Sequence, residues 1–65
     1  MRILVNGVSR EIAAGDLATA LQELGYGGAV VATALNGAFV AAQARTGEKL
    51  VEGDALEVLA PMQGG

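Results

Sequence analysis

The residues of this chain that offer chemistry are few, and the informative ones are the last two, Gly64 and Gly65, in the ending APMQGG. Residues 61–65 span roughly 17 Å when fully extended, and two side-chain-free residues at their tip could thread a narrow tunnel that any Cβ would block. The terminal carboxylate is inert as an acyl donor by itself. Once another enzyme joins its oxygen to the α-phosphate of ATP, the carbonyl becomes an electrophile. The competing explanation is a frayed tail past the last strand, in keeping with the ordinary disorder of chain ends. What favours function is the lack of any other reactive group.

There is no cysteine and no histidine, and only Ser9, three threonines and Tyr26 carry hydroxyls. Nucleophile and base pairs of the Ser/His or Cys/His type therefore cannot be assembled. Glu48, Glu52, Asp54 and Glu57 cluster in sequence but lack the spacing of a calcium loop, so they read as solvated surface charge and no metal site is expected. The loop GYGG precedes a strand rather than a helix and has no P-loop lysine or hydroxyl behind it, so it reads as a turn. Asn6-Gly7, Asn36-Gly37 and Gly53-Asp54 read as turns on the same grounds.

Seven acidic residues against Arg2, Arg10, Arg45 and Lys49 leave a net charge of −3 with no basic cluster. That excludes nucleic acid as the expected partner and favours a basic patch on a protein. No apolar run approaches the roughly 20 residues of a membrane span, so no membrane association is expected. No basic-then-apolar leader follows Met1, which makes the cytoplasm the expected location. At 65 residues a chain buries only about 60% of the surface that it exposes when unfolded, enough for one compact core and no enclosed active-site cavity.

The elements that must position the ending follow from punctuation. Two apolar stretches flank Asn6-Gly7, the strongest short-range hairpin signal, so residues 2–5 and 8–12 are predicted to pair as antiparallel strands. Asp16 can cap a helix in which Leu17, Ala20, Leu21 and Leu24 share a face, ended by Gly25 at the C′ position. AVVATALNG and AFVA form a second predicted hairpin around Asn36-Gly37. The stretch RTGEKLVEGD is polar and turn-rich, with residues 49–51 as a brief extended piece, and ALEVL alternates as a final strand before Pro61. One helix can cover one face of a mixed sheet of four or five strands. With the first and last strands side by side and parallel, the arrangement is an α+β fold of the β-grasp, ubiquitin-like kind. A ferredoxin-like fold would need a second helix, and no second helical period is present. Residues 1–60 are expected to form the domain and 61–65 a flexible tail, because nothing in it buries enough apolar area to offset the entropy of ordering.

The ending MQGG, the hairpin ALNGAFV, the turn and strand EGDALEVL and the opening ILVNGV together resemble the sulfur carrier proteins of thiamine biosynthesis, over the whole chain. The resemblance implies a carrier, not itself an enzyme. Its terminal glycine, here Gly65, is adenylated by an E1-like activating enzyme that consumes ATP, and is then converted to a thiocarboxylate. No cofactor is bound by the carrier. The other implied partners are a protein that donates the sulfur and thiazole synthase, which receives it. Gly64, Gln63 and Met62 would thread the partner's active site. A sulfur riding on the terminal carbonyl also accounts for the missing cysteine, since an internal thiol would only capture the activated acyl group.

The chain departs from that family at VAAQAR, where a proline and a basic residue often continue the second hairpin, and no role is carried over to Arg45. Two other functions remain open on the residues. The small subunit of molybdopterin synthase resembles this fold and ends in two glycines, though its tail more often has prolines where this chain has Met62 and Gln63. A noncovalent ubiquitin-like interaction module would leave the tail incidental. Strand alternation makes one further site expectation. With Ile3, Val5, Leu56 and Val58 facing the core, Leu4 and Leu59 face outward and form an apolar patch beside the tail, a docking surface for the activating enzyme.

Overall fold

A computed structural model describes residues 1–60 of the chain. The expected flexible tail 61–65, with Met62, Gln63, Gly64 and Gly65, lies outside the described residues. The elements run β1 (Arg2–Val5), β2 (Val8–Glu11), α1 (Leu17–Glu23), β3 (Ala32–Leu35), β4 (Ala38–Val40), a 3-10 helix (Ala42–Gly47) and β5 (Ala55–Leu59). The strands form one mixed sheet in the order β2-β1-β5-β3-β4. β5 lies at its centre, parallel to β1 and antiparallel to β3. This is the predicted β-grasp arrangement, with a single α-helix as crossover.

Both hairpins close as expected. Val5 pairs with Val8 and Leu35 with Ala38, which leaves two-residue turns at Asn6-Gly7 and Asn36-Gly37. Asn6 and Asn36 each have φ of 51°, followed by Gly7 at 82° and Gly37 at 85°. Those are the left-handed values of a type I′ turn, which suits the right-handed twist of the flanking strands.

The helix forms where sequence periodicity placed it. Leu17, Ala20 and Leu21 are buried and Leu24 packs against the core. At its end Tyr26 N–H donates to Leu21 O at 2.8 Å and Gly25 N–H to Gln22 O at 3.1 Å. With Gly25 at φ 96° this is a Schellman motif, which satisfies carbonyls that the helix end would otherwise orphan. At its start Asp16 Oδ1 accepts from Thr19 N–H at 2.8 Å and Oδ2 accepts from the Thr19 hydroxyl at 3.1 Å. The Thr19 backbone bond holds the Asp16 carboxyl below its ordinary value of 3.8, with the hydroxyl and Lys49 adding to the effect.

Because the folded value is the lower one, the cap's contribution is complete above 3.8 and is lost as pH falls through that value toward the folded one. Asp16→Asn keeps the acceptor and removes the titration. Its melting temperature is expected to fall less steeply than wild type on acidification below about pH 5. Parallel pH profiles for the two proteins would contradict this reading of the cap.

The core is a single cluster that includes Ile3, Val5, Ile12, Leu17, Leu21, Leu35, Val40, Leu50, Leu56 and Val58. Three features differ from expectation. The third strand starts at Ala32 rather than within AVV, and Val30 is 81% exposed. Residues 42–47, read as irregular, form a 3-10 helix. Its Arg45 donates through Nε to Thr33 Oγ1 at 3.0 Å and through Nη2 to Val31 O at 2.7 Å, tying the segment to β3. Asp54, read as solvated, is buried and accepts from Asn36 Nδ2 at 2.9 Å and from Val51 N–H at 2.8 Å. A buried carboxylate must be hydrogen-bonded, and these two bonds fix the turn that feeds β5. The brief extended piece near residue 49 is a single antiparallel bridge between Lys49 and Asp16.

Candidate functional site

The tail continues directly from β5, so the site is built around that strand. Leu56 and Val58 point into the core, which turns Glu57 and Leu59 to the face that the helix does not cover. On β1 the same alternation buries Ile3 and Val5 and leaves Arg2 and Leu4 outward. Leu4 is 42% and Leu59 68% exposed. Sequence reasoning therefore assigned both residues to the correct face.

It did not place them correctly relative to each other. Leu4 pairs with Ala55, four residues before Leu59 on β5. At about 3.3 Å per residue the two leucines stand roughly 13 Å apart along the strands, not side by side. They mark two ends of the outward face, with Glu57 between them, rather than one apolar patch. Between and beside them lies the row in which Phe39 pairs with Ala34 and Ala34 with Glu57. Phe39 is 74% exposed, the largest apolar side chain on the face, and sequence reasoning missed it. The signal was available. Val40 is the β4 residue that completes the core, and alternation then turns Phe39 outward.

Leu59 also borders a shallow apolar hollow of ≈ 330 Å³, shared with Val30, Val31, Ala32 and Ala60. The hollow sits where the described chain leaves the sheet. Glu57 is the one charge on the outward side of β5.

Two asparagines grip β5 at its ends. At the start, Asn36 N–H donates to Ala55 O at 2.8 Å, and Asn36 Oδ1 accepts from Ala55 N–H at 2.9 Å. At the other end, Asn6 N–H donates to Leu56 O at 2.9 Å. The Asn6 side chain continues that ladder: Oδ1 accepts from Val58 N–H at 2.8 Å and Nδ2 donates to Val58 O at 3.1 Å. Sequence reasoning saw both residues only as turn formers.

No group of three acidic side chains that could hold a metal gathers among the described residues. The GYGG loop is a turn closed by Ala29 N–H donating to Tyr26 O at 3.0 Å, with Gly28 at φ 83°. Among the described residues, no helix is long and apolar enough to cross a membrane.

Residues 3–65 match the ThiS family. The fold is similar to the crystal structure of the thiamine biosynthesis protein ThiS from Geobacter metallireducens, with a TM-score of 0.84 and 29% sequence identity over 100% of both chains. No curated protein matches the chain. With a β-grasp sheet whose central strand leads into the Gly-Gly ending, and a family match that reaches residue 65, the chain belongs to the ThiS family.

Proposed function

We propose that this chain is a sulfur carrier of thiamine biosynthesis and that Gly65 carries the sulfur. The observation that bears most weight is the family match through residue 65, on a fold that gives the ending a central strand as its root. In the proposed sequence, a Gly65 carboxylate oxygen attacks the α-phosphorus of ATP on an E1-like activating enzyme and pyrophosphate leaves. The outer sulfur of a persulfide on a donor protein then attacks the acyl carbonyl and AMP leaves. A second thiol attacks the donor's own sulfur in the resulting acyl disulfide, forming a disulfide and releasing the thiocarboxylate, so that sulfur replaces one oxygen of the carboxylate. Thiazole synthase takes the sulfur from the resulting thiocarboxylate. The chain supplies no catalytic group, and ATP is bound by the activating enzyme alone. Gly64, Gln63 and Met62 occupy the partner's channel in this reading. The family match supports the thiamine pathway over molybdopterin synthesis.

The outward face of the sheet is the proposed docking surface, with Leu4 and Leu59 at the two ends of its central strands and Phe39 on the edge strand β4. An exposed apolar face of this kind stabilises a complex when its aromatic and aliphatic anchors are desolvated. The test is an intact mass after incubation with a candidate activating enzyme, ATP and a sulfur donor. One oxygen-for-sulfur exchange is expected, located in the last peptide. Leu4→Glu with Leu59→Glu should keep the fold and weaken binding to the activating enzyme at least roughly 30-fold, because each new carboxylate is buried without a partner. A wild-type mass that does not change under these conditions refutes the carrier role. A folded double variant that is adenylated normally places docking elsewhere.

A further inference from the structure

We propose that Asn6 is a positioning residue for the tail: its side-chain amide fixes the point at which β5 ends and the segment leading to Gly65 begins. The proposal rests on the carrier reading for its functional consequence and on geometry alone for its structural part. β1 leaves the sheet at Val5, where it enters its hairpin turn, and its last paired partner on β5 is Leu56. Two residues farther on, the β1 side of Val58 would have no strand to pair with. The Asn6 amide fills that place. It accepts from Val58 N–H and donates to Val58 O, the two bonds that a neighbouring peptide would make. Glycine or aspartate also meets the conformational demand of the first turn position, so the turn alone does not require these bonds.

On its other side β5 stays paired through Leu59, opposite Ala32. Loss of the Asn6 amide therefore frays the exit of the strand without detaching it. Each residue freed adds about 3.3 Å of tether and widens the directions that the tether samples. A looser tether lowers the effective concentration of the terminal carboxylate in a partner's active site. Asn36 provides an internal control, because it grips the same strand through its amide at the end far from the tail.

The experiment compares Asn6→Gly with Asn36→Gly. Glycine keeps the positive φ of either turn and removes only the amide. In Asn6→Gly the backbone amides of Val58, Leu59 and Ala60 are expected to exchange with solvent about ten-fold faster, as one or two hydrogen bonds are lost from a locally opening end. The KM of the activating enzyme for the carrier should rise about five-fold with kcat within two-fold, the signature of a poorly presented tail. Asn36→Gly should lower the melting temperature comparably yet leave exchange at 58–60 and KM as in wild type. Unchanged exchange at 58–60 in Asn6→Gly overturns the proposal. So does faster exchange with an unchanged KM, or an equal rise in KM for both variants, which would reduce Asn6 to general stability. If wild type itself never gains sulfur, the carrier reading fails separately, and the exchange contrast between the two variants still decides whether Asn6 sets the end of β5.

Discussion

Removing Gly65, or appending one residue after it, is expected to abolish sulfur loading while leaving thermal stability unchanged. The deletion moves the terminal carboxylate back by one residue, about 3.5 Å. Acyl transfer demands that reacting atoms meet within about 3–3.5 Å, and a misplacement of 1 Å already costs about 100-fold. The appended residue acts differently. It turns the carbonyl of Gly65 into an amide, places the carboxylate beyond the reactive position and adds a Cβ where the tip must be slender. Loading by intact mass should fall at least about 100-fold in both variants. Among the described residues the buried core is drawn from residues 3–58, and both melting temperatures should match wild type. Normal loading of the deletion variant would sink the assignment of Gly65.

Leu56→Ala is expected to remove most of the stability of the fold. Leu56 is 1% exposed, sits on the central strand and pairs with both Val5 and Leu35. Truncating a buried leucine costs about 2–5 kcal/mol, depending on how far the cavity collapses. A native domain of this size has roughly 3–10 kcal/mol in total, at 0.05–0.15 kcal/mol per residue. At about 4–8 °C per kcal/mol for a domain this small, the melting temperature should drop by at least about 10 °C. Leu59→Ala, one face away on the same strand, should shift it by no more than a few degrees, since Leu59 is 68% exposed. Equal shifts for the two would mean that the strand faces are inverted.

The fold was legible in the sequence because its punctuation is local. Two Asn-Gly turns, one capped amphipathic helix and a final alternating strand each carry their own signal within a few residues. The facing of Leu4 and Leu59 followed from the period of two along a strand. Their separation did not, because register is decided by which backbone groups meet across the sheet. β1 turns away at Val5 while β5 runs on to Leu59, and alternation within either strand is silent on that offset. The 3-10 helix escaped for a related reason: six residues, AQARTG, are too short to show a helical period. The roles of Asn6, Asn36 and Asp54 were hidden because turn chemistry already accounted for them, and their side-chain bonds reach 52, 19 and 18 residues along the chain.

The central position of β5 also determines how the molecule bears load. Tension applied at Leu59 along the axis of β5 acts on a strand that is paired on both sides. Its neighbours, β1 on one side and β3 on the other, hold it by hydrogen bonds that lie across that axis. Such a pull loads these bonds together in shear, whereas a pull on an edge strand such as β2 or β4, directed across the sheet, would open them one at a time like a zip. The buried side chains of Leu56 and Val58 must also slide past the core before the strand can move. Under the proposed carrier role, tension on the end of β5 is thus met by a strand held from both sides of the sheet.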